Sequence, residues 1–374
     1  MNGIIEHKIF TPFTIGRVSL RHRVVMAPLT RLRSEQPGDV PGPLMAQYYE
    51  QRTSPGGLII TESAEITPEA SAYEEAPGIY SEEQVIGWST VTEAIHRKGG
   101  FVFLQLWHPG RVSHPDLTGV PPVSASATES SDILVYTRNG PLPAPRSRAL
   151  QTQELPEIVD LYRTATIRAL AAGFDGVEVL AAGGYLLDQF LQNGTNLRTD
   201  VYGGSVQNRA RLLLEVVEAV TEIFNRDRVG VRLSPSGIFN GISDSNPEVI
   251  FDYVAGALNR FALAYLHVIE PRVKGGETLR EGHPPVAAAR LRKIFDGPMI
   301  AAGGFDREGA MEVLDKGDAD LVAFGRHFIA NPDLVERFRL GLPLNRYDRS
   351  TFYSPGPKGY IDYATHTDLA NPSL

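Results

Sequence analysis

The sequence predicts an α/β fold closed into a (β/α)₈ barrel. Three observations carry this reading. Eight short apolar runs recur along the 374 residues, helical patterns lie between most of them, and no linker interrupts the series. Continuous apolar runs suit strands buried on both faces, as in a parallel sheet. Eight βα units in one chain indicate a closed barrel. An open doubly wound sheet is the alternative, but its usual glycine-rich fingerprint after the first strand is missing here. One domain over residues 1–374 is expected.

The elements follow in chain order. Residues 9–22, IFTPFTIGRVSLRH, read as a hairpin turning at Gly16 that plugs the barrel bottom. The runs are RVVMAPLT (23–30), GGLIITES (56–63), FVFLQLW (101–107) and FDGVEVL (174–180), then RVGVRLSP (228–235), LAYLHVIE (263–270), GPMIAAGG (297–304) and ADLVAFGR (319–326). The segment SEEQVIGWSTVTEAIHRKGG opens on a serine cap, carries glutamate in its first turn and closes on lysine and glycine, all helix signals. SVQNRARLLLEVVEAVTEIF and DREGAMEVLDKG behave alike. Residues 108–153 form a Pro/Ser-rich insertion after the third strand, and a loop this long is usually a functional cover. After the eighth unit come a helix (332–340) and an irregular tail (341–374).

Composition narrows the function. Apolar residues make up 42% and charged residues 21%, as in a globular protein that faces water. A formal charge of -8 argues against a nucleic-acid partner. The chain has no cysteine, which excludes disulfides, thiolate metal sites and cysteine nucleophiles. The opening MNGIIEHKIFTPF shows no secretory signal, and no apolar run spans a bilayer. A cytoplasmic protein acting on a small molecule, as monomer or homodimer, is expected. Asn193 begins a glycosylation sequon that reads as a plain loop. The nine histidines lack metal spacing, and neither a phosphate-binding P-loop nor a nucleophile elbow is present. His108 and His267 read as loop-ordering groups.

Barrel active sites form where strands end at the C-terminal face. Thr30, Gln105, Trp107 and Arg232 stand at such ends, as do the glycines of AAGGF and AFGR. Gly303, Gly304 and Gly325 allow backbone N–H groups to approach an anion, and Arg326 adds a fork for phosphate oxygens. A phosphate seat after strands seven and eight is a recurrent barrel feature. The remaining groups suit a flat heterocycle. Gln105 can both donate to and accept from an imide-like edge, and Arg232 can stabilise negative charge on it.

The motifs MAPLTRLRS, QLWHPGR, NLRTDVYGGSVQNRARLLLEV, YLHVIEPR, AFGRHFIANPDLV and TFYSPGPKGYIDY together resemble the Old Yellow Enzyme family, FMN-containing ene-reductases on a (β/α)₈ barrel. The resemblance covers nearly the whole chain. It implies that Thr30 bonds the flavin C4 carbonyl, Gln105 meets the pyrimidine edge and Arg232 lies beside N1 and O2. Gly303, Gly304, Gly325 and Arg326 match the phosphate site, and Ser63 falls where relatives often have alanine near the flavin. Tyr73, Trp107 and Tyr353 match the aromatic walls over the flavin, and Tyr185 matches the proton donor. NADPH, or NADH, would supply the electrons.

One departure concerns the substrate. In the family the fourth strand reads H-x-x-N or H-x-x-H before G-Y, and that pair binds the substrate's carbonyl or nitro oxygen. Here the two substrate-binding positions are Leu180 and Gly183, which offer no side-chain donor. If such donors act like an oxyanion hole, each is worth about 3 kcal/mol. Reduction of enones, nitroalkenes and maleimides is the expected activity. The alternatives are a divergent flavoenzyme, such as a desaturase or isomerase acting on a bulky apolar substrate, and a variant engineered at these two positions. A non-catalytic flavin-binding scaffold is a further alternative.

Overall fold

The computed structural model describes residues 7–274, 277–278 and 286–370. Eight parallel strands close into a barrel: β1 (Val24–Met26), β2 (Leu58–Glu65), β3 (Phe101–Trp107), β4 (Gly176–Ala181), β5 (Val229–Leu233), β6 (Tyr265–Ile269), β7 (Met299–Ala302) and β8 (Leu321–Phe324). Each overlaps one of the eight apolar runs. Neighbours in sequence are neighbours in the sheet, and β8 pairs with β1 to seal it.

The runs are continuous rather than alternating because the barrel buries both strand faces. Val25, Leu58, Ile60, Phe103, Tyr265, Ile300 and Leu321 join one apolar cluster, whereas Val24, Ile59, Val102 and Leu266 join another. Successive side chains point to opposite faces, so the period of two separates barrel filling from the strand–helix layer. The hairpin Phe13–Ile15 with Val18–Leu20 adds Ile15, Val18 and Leu20 to the filling cluster. Gly16 turns it with φ +52, and a Cβ there would collide with the Asp227 carbonyl.

The outer layer comprises α1 (Pro43–Arg52), α2 (Glu82–Arg97), α3 (Leu155–Ala171), α4 (Val206–Phe224), α5 (Pro247–Leu258), α6 (Ala288–Leu291), α7 (Arg307–Lys316) and α8 (Leu334–Leu340). Local signals set their ends. Ser81 and Gln84 form a capping box on α2, Ser205 accepts from the Asn208 N–H at α4, and Asp306 does the same for Gly309 at α7. No helix among the described residues is long and apolar enough to cross a membrane.

Two excursions bear on the barrel mouth. The insertion holds an antiparallel hairpin, Ser130–Thr137 with Gly140–Ala144, whose Ile133, Val135 and Ala144 pack with Ala72, Trp107 and Leu180. The tail, irregular in sequence, is tightly held. Arg31 donates to the Phe352 and Gly359 carbonyls, and Arg33 to those of Thr351 and Phe352. Arg52 reaches the Tyr360 carbonyl, and Tyr360 stacks on Tyr48 at 4.0 Å between centroids. These arginines are buried, so their donors must find partners.

Candidate active site

A polar layer crosses the barrel where its strands end. Pairing register sets Ser63 opposite Gln105, Gln105 opposite Glu178, and Arg232 opposite His267. The Ser63 hydroxyl donates to Gln105 Oε1, leaving Nε2 to donate to Glu178 Oε1 at 2.6 Å. His267 Nδ1 donates to Glu178 Oε2 at 2.8 Å. Burial alone would raise the Glu178 carboxyl, yet His267, Arg232 and Gln105 hold it below the usual range, so it is ionised. Burial lowers His267, which is neutral. Glu178 is the residue that reading the sequence missed. His267 sits on β6 inside this network, not in a loop as expected. A loop role holds for His108, whose Nδ1 accepts from the Gly110 N–H at 3.0 Å and whose burial lowers its pKa to about 4.

Two buried nitrogens of this layer lack a partner among the described residues, Arg232 Nε and His267 Nε2. An unsatisfied buried group costs roughly 1–3 kcal/mol, so each calls for an explanation. Nearby loops carry the glycines picked out in the sequence. Gly303 (φ +109) and Gly304 (φ +71) adopt backbone that other residues resist. A Cβ on Gly303 would press on Glu270 and Val273 at 3.2 Å, and one on Gly325 would stand 3.0 Å from Leu29 Cδ2. Arg326 follows Gly325 and contacts the Tyr347 hydroxyl at 3.5 Å. Thr30 is half-buried just beyond β1. Among the described residues no cluster could hold a metal ion.

The mouth of the barrel is aromatic. The Tyr73 ring stacks on Trp107 at 5.9 Å between centroids, and Tyr185 meets Trp107 edge-on at 5.0 Å. The Tyr73 and Tyr185 hydroxyls are 3.3 Å apart. Burial raises the Tyr185 phenol, and contacts with Tyr73, Asn240 and Arg232 pull against it. Leu180 is 5% exposed and belongs to the apolar cluster under the insertion. Gly183 has φ +69, donates its N–H to Ser234 Oγ at 2.8 Å and accepts from Asn240 at 2.9 Å. The structure thus gathers Tyr73, Trp107, Tyr185, Leu180 and Gly183 at the β4 end. Tyr353 is 58% exposed and meets only Phe352 edge-on among the described ring contacts.

The description "NADH:flavin oxidoreductase / NADH oxidase family" fits residues 8–345 of this chain. The chain belongs to this family, that of Old Yellow Enzyme. It is 46% identical over 365 residues to a putative 12-oxophytodienoate reductase 11 of Oryza sativa subsp. japonica, covering 95% of this chain and 96% of the relative. It is 45% identical to 12-oxophytodienoate reductase 2 of Arabidopsis thaliana, covering 95% of each. Among solved structures, morphinone reductase matches with TM-score 0.92 and 47% identity over 98% of both chains. An Old Yellow Enzyme homologue from Zymomonas mobilis gives TM-score 0.92 and 41% identity, covering 96% of this chain and 99% of the other.

As an Old Yellow Enzyme, the chain is an FMN-dependent oxidoreductase that draws electrons from a reduced nicotinamide. Its residues fit FMN. The unpartnered Arg232 nitrogen calls for an acceptor, and glycines clear space where a Cβ would intrude.

One buried carboxyl near this site makes stability depend on pH. Asp188 is fully buried and accepts from the Gly184 N–H (2.9 Å) and from Gln192 (2.7 Å). Burial pushes it up to about 7. An unfolded aspartate titrates near about 3.9. The folded state therefore holds this proton longer, and its contribution is present below pH 4 and lost as pH rises through 7. The difference is on the order of 4 kcal/mol. Urea unfolding between pH 4 and 7 should show stability falling less steeply in Asp188→Asn than in wild type. Parallel slopes would refute the assignment.

Proposed function

We propose that this chain reduces activated C=C bonds (enones, maleimides and nitroalkenes) with Tyr185 as the proton donor. The observation that carries it is the half-buried Tyr185 phenol just beyond β4, packed against Trp107 and in contact with the Tyr73 hydroxyl. Relatives named 12-oxophytodienoate reductase and morphinone reductase support the same reading. Gly303, Gly304, Gly325 and Arg326 would hold the FMN phosphate. Thr30, Ser63, Gln105 and Arg232 would hold its ring system. Bound FMN supplies hydride chemistry at the alkene β-carbon and takes its electrons from the nicotinamide.

This chain's residues do the rest. Arg232 keeps a fixed cation at the barrel centre, restrained by ionised Glu178. Tyr73, Trp107 and the exposed Tyr353 would flank a flat substrate. Tyr185 gives its proton to the α-carbon and recovers one from water; a positioned acid of this kind contributes roughly 10²–10⁴. NADH is favoured over NADPH, because a morphinone reductase of similar fold binds tetrahydroNAD.

Leu180 favours a second reading. An apolar wall where donors usually stand suits a bulky apolar substrate, including one that is desaturated or isomerised. Anaerobic mixing separates the two. Pre-reduced enzyme should be reoxidised by enones, maleimides or nitroalkenes faster than by buffer. No acceleration by any of them would overturn the first reading.

A further inference from the structure

The turn that carries Tyr185 is held by a loop with no assigned role. Phe239–Gly241, between β5 and α5, lies directly on Gly183–Gly184. A Cβ on Gly184 would stand 2.6 Å from the Phe239 carbonyl oxygen and 2.8 Å from Asn240 Cβ, so the two segments touch backbone to backbone. Asn240 occupies left-handed backbone (φ 57, ψ 34), which asparagine tolerates better than most residues. Its Nδ2 donates to the Gly183 carbonyl at 2.9 Å. Arg111 fixes the loop from behind by donating to the Asn240 carbonyl at 2.8 Å and that of Gly241 at 3.1 Å.

A primary amide has two N–H groups. One of Asn240 is committed to Gly183. The same side chain lies near the Tyr185 phenol and pulls against the rise that burial gives it. Ser234 and Asp188 hold the N–H groups of Gly183 and Gly184 from the other side. The turn is therefore clamped on both its carbonyl and its amide edges. The charged and titratable groups acting on Tyr185 are Tyr73, Tyr353 and Arg232, and none of them grips the turn itself.

We infer that Asn240 is the positioning residue for Tyr185, orienting the phenol through the Gly183 carbonyl and stabilising the phenolate left after proton transfer. The inference rests on Tyr185 being the proton donor. In that step the alkene gains a hydride at its β-carbon, its π pair takes the phenolic proton at the α-carbon, and the phenolate regains a proton from water. A donor with no other assigned task thus stands at the turn where Leu180 and Gly183 lack side-chain donors. It acts on the acid rather than on the substrate's oxygen.

Two variants test it in the FMN-loaded enzyme. Asn240→Gly accepts the same backbone and removes the amide. Asn240→Asp keeps the shape and loses the donor. Each should slow reoxidation by cyclohexenone about tenfold to a hundredfold, the loss of one hydrogen bond to a charged group. Reduction by NADH and reoxidation by benzoquinone, which needs no proton at carbon, should stay near wild type. In D₂O, wild type should place deuterium on one face of the α-carbon, and the variants on both. Melting curves establish that both variants fold. Should the variants match wild type in rate and facial selectivity while Tyr185→Phe is slow, the inference falls alone. Were Tyr185→Phe also to match wild type, the proton-donor reading would fall with it.

Discussion

Tyr185→Phe is expected to slow alkene reduction by about 10²–10⁴ and to leave flavin reduction unchanged, a pattern set by the contribution of a positioned acid. The phenol is half-buried, and among the described residues its hydroxyl neighbour is Tyr73 at 3.3 Å. Tyr73 is itself raised well above its ordinary pKa by burial and by Tyr185, so it is a poor substitute acid. Phenylalanine keeps the edge-on contact with Trp107 and removes only the hydroxyl. Stopped-flow measurement of the two half-reactions checks this. An equal loss in both would mean that the substitution disturbs the pocket and that no specific proton transfer has been removed.

The second large effect runs the other way. Leu180→His together with Gly183→Asn would install two side-chain donors at the end of β4. Each is expected to add up to about 10²–10³ in rate toward a cyclic enone, the usual worth of one oxyanion donor. The change strains the turn, and the Tyr185 ring must give by a few tenths of an ångström. Gly183 has φ +69, where asparagine is among the more tolerated residues, and its new Cβ would lie 3.3 Å from Tyr185 Cε2. Leu180 pairs in register with Arg232, so an imidazole there enters a layer already rich in polar groups. Losing Leu180 from the cluster with Ile133, Val135 and Ala144 should lower thermal stability. The readout is kcat/KM for cyclohexenone beside the melting temperature. Unchanged kcat/KM in a folded variant would mean that the substrate's oxygen does not lie over these positions.

The barrel was legible because each strand is a short run buried on both faces and each main helix carries its own cap. Ser81, Ser205 and Asp306 act within three residues of themselves, so local sequence is enough to find them. The left-handed backbone of Gly303 and Gly304 was legible for a similar reason, since a glycine pair at a strand end marks backbone that other residues resist. Glu178 was not legible. It sits in the middle of GVEVL, and its partners Gln105 and His267 are 73 and 89 residues away. The available signal was the run itself, for a carboxylate inside a doubly buried strand must be paired. Asn240 left no such trace, because its partner is a backbone carbonyl. The tail looked shapeless because its order comes from arginines more than 300 residues earlier.

That last arrangement has a bearing on biosynthesis. The guanidinium groups of Arg31, Arg33 and Arg52 emerge from the ribosome more than 300 residues before carbonyls that they hold, those of Thr351, Gly359 and Tyr360. Until then these cations lack part of their acceptors, and the first βα loop lacks the segment it closes upon. The first βα loop is thus fastened only once the polypeptide beyond β8 has been made.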